Sequence, residues 1–248
     1  MTEFKHSGRG RLPTKVSLGN PVEGERRAPF FTSWSGGKDS CLALYRAWQS
    51  GLNPQALLTM LIENGARSHA HGLSVEVLSA QAKSLGLTLT VQRASWETYE
   101  QVFTAALCDL RSRGITVGVF GDIDLKQHKA WVEQVARKAG IQPVFPLWQE
   151  ERAPARARVE VVKDFLDCGF QAMIVAVQDR ILTPDFLGRL FDAKLLLELE
   201  KRGVDPAGEE GEFHTVVFDG PIFNFPLPLQ AKGRLLIDGY WFLDLSLQ

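Results

Sequence analysis

From Pro29 onward, short apolar runs alternate with longer segments whose apolar residues recur at intervals of three and four. Pro29–Trp34, Ala56–Ile62, Leu87–Gln92, Ile115–Phe120, Ile141–Leu147 and Ala172–Val177 have strand length and read as buried strands. Between them the spacing predicts helices over Asp39–Ser50, Leu73–Leu85, Thr98–Arg113, Leu125–Ala139 and Val159–Cys168. In Leu125–Ala139, Trp131, Val132, Val135 and Ala136 line one stripe. Gly51, Gly86, Gly114, Gly140 and Gly169 stand where C-terminal caps are expected. This βα repetition predicts an α/β fold, a doubly wound parallel sheet with helices on both faces.

After Gln149 the rhythm changes. A helix near Asp192–Arg202 is followed by strands at Phe213–Phe218, Gly233–Ile237 and Tyr240–Leu245, with Asp238-Gly239 as a type I′ hairpin turn. Three segments result: a flexible basic extension over 1–28, an α/β domain over 29–149 and a smaller α+β lobe over 150–248. Lys5, Arg9, Arg11, Lys15, Arg26 and Arg27 make the extension basic, while Glu3, Glu23 and Glu25 argue against a transit peptide.

Composition narrows the class. With 45% hydrophobic and 23% charged residues in 248, the chain reads as globular. It has no apolar run of about 18 residues and no apolar leader, so neither a membrane span nor a secretory signal is expected. Cys41, Cys108 and Cys168 are scattered and odd in number, which suits reduced thiols in the cytoplasm. A net charge of −1 gives no electrostatic case for nucleic acid. A homodimer is compatible with the chain.

The chemistry is concentrated in Ser35-Gly36-Gly37-Lys38-Asp39-Ser40, between the first strand and the first helix. Paired glycines let backbone approach a ligand, and the helix start offers N–H groups to phosphate oxygens. Lys38 adds a cation, Ser35 and Ser40 add hydroxyls, and Asp39 suits Mg²⁺. The string fits neither GxxxxGK[ST] nor GxGxxG. It resembles the PP-loop of the N-type ATP pyrophosphatases, which cleave ATP between the α and β phosphates and adenylate a substrate oxygen. That resemblance implies pyrophosphate binding by Ser35, Gly36, Gly37, Lys38, Asp39 and Ser40.

A narrower resemblance follows along the chain. His71-Gly72, Gln81-Ala82, Leu85-Gly86, Gly121-Asp122-Ile123, Pro146-Leu147-Trp148 and Leu187-Gly188-Arg189 occur in order. After them come Asp205-Pro206, Gly208-Glu209, Gly211-Glu212-Phe213-His214-Thr215, Asp219-Gly220-Pro221 and Phe223. In this order the motifs look like the diphthine–ammonia ligase family, and the match spans roughly Phe30 to Phe223. The resemblance implies a HUP-type ATP domain with a substrate-recognition lobe. It implies amidation of a carboxylate through an acyl-adenylate, with ammonium as nitrogen donor and diphthine on elongation factor 2 as the family substrate. ATP and Mg²⁺ are the expected cofactors. Two positions depart from the family pattern: Ala207 stands where cysteine often occurs, and Glu210 where asparagine is usual.

Individual residues keep two readings. Asp122, at the end of the fourth strand, is a metal or ribose ligand, or a helix cap. Glu209 and Glu212 bind ammonium or a cationic substrate or act as base, or form a solvated turn; the family motif favours a role for Glu212. His214 meets substrate or alternates outward, and Gly211 and Asp219 join the substrate set through the resemblance. His69 and His71 form an HxH without the further ligands zinc requires. Trp34 stacks on adenine or packs in the core. The leading reading is therefore an ATP-dependent amide ligase with Lys38, Asp39 and Glu212 catalytic and Asp39 and Asp122 on metal. The competing readings are a PP-loop enzyme adenylating another small molecule or tRNA, and a non-catalytic nucleotide-binding regulator.

Overall fold

The computed structural model describes residues 27–69, 71–149 and 154–248. The extension expected over 1–28 therefore lies almost wholly outside the described residues.

Strands β1 (Pro29–Ser33), β2 (Asn53–Leu61), β3 (Thr88–Arg93), β4 (Val117–Val119) and β5 (Gln142–Val144) form one sheet. It is five-stranded, parallel throughout, and ordered β3-β2-β1-β4-β5. Helices α1 (Lys38–Gln49), α2 (Val75–Leu85), α3 (Tyr99–Ser112) and α4 (Lys126–Lys138) connect the strands. The pleat assigns neighbouring residues to opposite faces: Phe30 packs with α1 and α2, Phe31 with α3 and α4. This is the doubly wound, HUP-like architecture expected. All five glycines expected to cap helices adopt positive φ, and Val132, Val135 and Ala136 bury the α4 stripe.

Helix α5 (Pro154–Asp167) leads into a second sheet of β6 (Gln171–Gln178), β7 (Phe213–Asp219), β8 (Leu229–Ile237) and β9 (Tyr240–Leu247). Its order is β7-β6-β9-β8 and its pairings are antiparallel. Helix α6 (Ala193–Lys201) precedes β7. The run Ala172–Val177, expected to complete the parallel set, lies instead in this second sheet as β6. Its burial on both faces gives the same apolar signature in either sheet, so periodicity does not decide. Both residues of the Asp238-Gly239 turn have positive φ, as a type I′ hairpin requires.

The sheets share one core. Leu42, Leu44, Val77 and Leu78 of α1 and α2 belong to the same buried cluster as Phe213, Val216 and Val217 of β7. Helix α1 lies between the two sheets, and this is why its buried residues run almost continuously from Ser40 to Leu44.

Candidate active site

The loop Trp34–Gly37 leaves β1 where the sheet order turns, with β2 on one side and β4 on the other. Open α/β sheets bind ligands at such a switch point, beyond the carboxyl ends of the strands. Within the loop, Gly37 N–H donates to Ser35 Oγ at 3.3 Å, Ser35 and Ser40 hydroxyls meet at 3.1 Å, and Ser40 Oγ donates to Gly37 O at 3.1 Å. Lys38 is buried. Its Nζ donates to Asp39 Oδ2 at 2.7 Å and to Ala207 O, and lies 5.7 Å from the Phe213 ring centre.

Strand β7 runs along this loop. Val217 N–H donates to Gly36 O at 2.9 Å, and Lys38 N–H donates to Thr215 Oγ1 at 3.1 Å. Gln81 of α2 clamps the seam, its Nε2 donating to Gly36 O at 2.9 Å and Val217 O at 2.7 Å. Trp34 Nε1 donates to Gln81 Oε1 at 2.9 Å, so Trp34 is a core residue with a satisfied N–H. The glycines answer to this packing. A Cβ on Gly37 would sit 2.3 Å from His71 Cε1, and one on Gly36, whose φ is +83°, 2.7 Å from Gln81 Oε1.

His71 Nδ1 lies 2.8 Å from Thr215 O. A carbonyl only accepts, so Nδ1 carries the hydrogen and Nε2 is left as an acceptor. The rings of His71 and His214 stand 4.7 Å apart. Burial holds His71 down at about 4, and burial together with His71 holds His214 well below its ordinary value. Both are neutral at physiological pH. The HxH pair diverges, because His69 Nε2 contacts Ala94 O instead, at 3.0 Å.

The acidic motif forms a tight loop between α6 and β7. Asp205 opens it, accepting from Ala207 N–H at 2.9 Å and Glu209 N–H at 3.3 Å. Gly211 turns the chain at φ +86°, and Glu212 Oε2 accepts from Glu210 N–H at 3.1 Å. Burial, and next the charge of Asp39, push the Glu209 carboxyl up to about 8. Burial likewise raises Asp39, opposed by Lys38, and raises Glu212. Asp39 and Glu209 thus feel the charge of Lys38, whereas Glu212 answers to Asp205 and Glu210.

Other candidates fall elsewhere. Gly121 packs against the start of α1, a Cβ there meeting Asp39 backbone carbon at 2.9 Å, and this places the β4 loop beside the first turn. Asp122, next in that loop, is bonded to His128 Nδ1. Asp219 lies at the far end of β7, about 16 Å along the strand from His214, and accepts from Gly220 N–H at 2.9 Å. Among the described residues no group of three or more His, Cys, Asp or Glu side chains is placed to hold a metal by itself. The three cysteines are free, and no described helix is long and apolar enough to cross a membrane. Sequence reasoning assigned no role to Gln81, Thr215 or Arg158. The first lies within a quoted family motif and the second closes Gly211–Thr215, but Arg158 had no signal beyond its charge.

An SGGKDS loop at the switch point of a parallel α/β sheet defines a PP-loop ATP-binding protein. The diphthamide synthase N-terminal domain matches residues 30–143, and the C-terminal domain of the same synthase matches 158–246. Across those two consecutive domains, the chain belongs to the diphthamide synthase family. Human diphthine–ammonia ligase is 29% identical over 77% of this chain and 78% of its own. The zebrafish enzyme of that name is 26% identical over 82% of this chain and 86% of its own. A predicted tRNA methyltransferase subunit from Methanocaldococcus jannaschii aligns at 19% identity, over 76% of this chain and 96% of that one. Its TM-score of 0.38 is too low to bear on fold or function.

Proposed function

We propose that the chain is an ATP-dependent carboxylate–ammonia ligase that converts diphthine on elongation factor 2 to its amide, releasing AMP and pyrophosphate. The observation that carries this reading is the hydrogen-bonded seam between the SGGKDS loop and β7, through Gly36–Val217 and Lys38–Thr215. It makes the ATP loop and the Glu209–His214 motif walls of one site. The ATP-binding domain is assigned to 29–149 and the acceptor lobe to 150–248.

In the first step a carboxylate oxygen of the acceptor attacks the α-phosphorus, and the bond to the β-phosphate oxygen breaks. Pyrophosphate departs onto Ser35, Gly36, Gly37, Lys38, Asp39 and Ser40, where Lys38 and the helix start offset its charge. In the second step ammonia adds to the acyl carbon, AMP leaves with the C–O electron pair, and the nitrogen sheds a proton to become the amide. Glu212 binds ammonium and takes its proton, freeing the ammonia that adds, and the proton shed after addition passes to the departing AMP phosphate; Gly211 and His214 shape the acceptor pocket.

Mg²⁺ suits this site. Asp39 stands in the SGGKDS loop with Oδ2 on Lys38 Nζ at 2.7 Å, its charge raises the Glu209 carboxyl, and Mg²⁺ is usually bound by one or two carboxylates plus phosphate oxygens. Asp39 and Glu209 would hold it; Asp122 already has one oxygen on His128. When bound there, the ion would supply charge neutralisation at the transferring phosphates.

The test is AMP and pyrophosphate release from Mg-ATP with ammonium and a panel of carboxylates that includes diphthine-bearing elongation factor 2. Release dependent on diphthine is the expected result. Release with another acid alone overturns the substrate assignment. ATP binding without release under every acceptor overturns the ligase in favour of a nucleotide sensor.

A further inference from the structure

Arg158, on the first turns of α5, joins the two lobes through its guanidinium. Nε and Nη2 donate to the two oxygens of Asp124 at 2.8 and 3.0 Å. Nη1 donates to Asp205 Oδ2 at 2.7 Å and reaches Glu210 Oε1 at 3.3 Å. The side chains of Arg158, Asp124 and Asp205 are only 10–12% exposed, whereas Glu210 is 71% exposed. Asp124 belongs to the loop after β4, on the ATP side. Asp205 is the residue whose carboxylate folds the acceptor loop by capping Ala207 and Glu209. A planar fork that meets two carboxylates from two lobes fixes their relative position in a way an ammonium group does not reproduce.

The same loop has a second hold, from Lys38 Nζ to Ala207 O. That ammonium is also the cation nearest to where the proposed function seats phosphate, so the two uses compete. When Lys38 turns to phosphate its grip on Ala207 slackens. Every partner of Arg158 described above is a carboxylate of the brace, and none belongs to the phosphate loop.

We propose that Arg158 is the positioning residue of the acceptor side: it keeps the Asp205–Glu212 loop in register with the ATP domain while Lys38 engages phosphate. This inference rests on the ligase reading. It assigns Glu210, the position that departs from the family pattern, to the exposed rim of that brace.

The experiment uses the full chain with Arg158→Lys, and with Asp124→Asn as a second variant that keeps side-chain size. Mg-ATP affinity is measured by calorimetry, and acceptor KM and kcat with diphthine-bearing elongation factor 2. Hydrogen exchange of the 204–212 segment is followed with and without Mg-ATP. The SGGKDS loop and Asp39 stay in place in both variants, so Mg-ATP affinity falls only through the loosened Glu209, by about threefold or less, while the acceptor KM rises at least about tenfold, since misplacing a positioning group by an ångström costs that much or more. Exchange of the loop rises in the variants chiefly when Mg-ATP is bound. Wild-type acceptor KM with wild-type loop exchange in Arg158→Lys overturns the proposal. So does a parallel loss of ATP and acceptor affinity, which marks a general brace of the fold. Should the wild-type chain form no amide from this acceptor, the ligase reading falls and the nucleotide-dependent exchange alone decides the role of Arg158.

Discussion

Val217 N–H donates to Gly36 O at 2.9 Å, so a strand of the antiparallel sheet is hydrogen-bonded to the first glycine of the phosphate loop. The second lobe therefore sets the shape of the SGGKDS loop. A loop with glycines at 36 and 37 is usually explained by ligand approach; here both positions are also closed by the chain itself.

Gly37→Ala tests that closure. Its new Cβ would meet His71 Cε1 at 2.3 Å and Thr215 O at 3.0 Å. One of these neighbours is the backbone of β7, so relief must come from His71. The expected cost is about 1–3 kcal/mol, the range for overpacking a buried site, read as a lower midpoint in denaturant. Adding His71→Ala should recover part of it; no recovery would mean that the Thr215 backbone sets the strain.

Lys38→Ala and Asp39→Ala should both abolish pyrophosphate release, but they should differ in stability. Lys38 is 6% exposed at its side chain and bonded to Ala207 O and Asp39. Its removal strips donors from a carbonyl and a carboxylate, a loss of about 1–3 kcal/mol. Asp39, 24% exposed, leaves Lys38 still bonded to Ala207, so the cost should be smaller. Thermal melts beside turnover assays separate the two effects. Equal melting temperatures would show that the Ala207 contact contributes nothing.

Much of this was legible in the sequence where the pattern is local. The α4 stripe, the helix-capping glycines and the Asp238-Gly239 turn depend on near neighbours, and each appears as expected. Sheet membership depends on partners far along the chain, which is why β6 could not be told from a sixth parallel strand. The orientation of His214 was hidden for a related reason: Thr215 to Asp219 are all buried, so no alternation exists to read. Arg158 gathers Asp124, Asp205 and Glu210 across 34 to 52 positions of sequence, and no spacing rule reports that.

Stability should fall in acid because of two largely desolvated histidines, His71 and His214. His71 has its pKa lowered from 6.5 to about 4, so the unfolded chain binds a proton that the folded chain refuses. Its contribution is complete above pH 6.5 and is lost as pH falls towards 4, up to about 3 kcal/mol. His214 acts in the same direction. Denaturant midpoints at pH 5 and 7.5 should differ less in His71→Asn than in wild type. An unchanged difference would mean that His71 is already charged in the fold.

Glu209 has the opposite slope. Its carboxyl is raised from 4.5 to about 8 by burial and by Asp39, so between those values the folded chain holds a proton that the unfolded chain has lost. Stability from this group is greatest below pH 4.5 and declines as pH rises to 8. Glu209→Gln should therefore melt like wild type at pH 5 and above it at pH 9, and Mg²⁺ with ATP should narrow the gap by neutralising Asp39 and Glu209. A gap that Mg-ATP leaves untouched would separate Glu209 from the metal.

Glu212→Gln isolates the second half-reaction. Glu212 is 8% exposed, and its carboxylate accepts the Glu210 N–H at 3.1 Å; glutamine keeps an oxygen for that bond, so the loop should hold its shape. ATP affinity should match wild type, because the phosphate contacts come from the other side of the seam. Amide formation should drop about 10²-fold or more, the usual worth of a positioned proton acceptor. Release of pyrophosphate in a single turnover should survive, leaving the acyl-adenylate to be hydrolysed by water. Quenched-flow measurement of AMP against amide reads the split directly: normal amide yield removes Glu212 from the chemistry, and loss of the pyrophosphate burst moves it to the adenylation step.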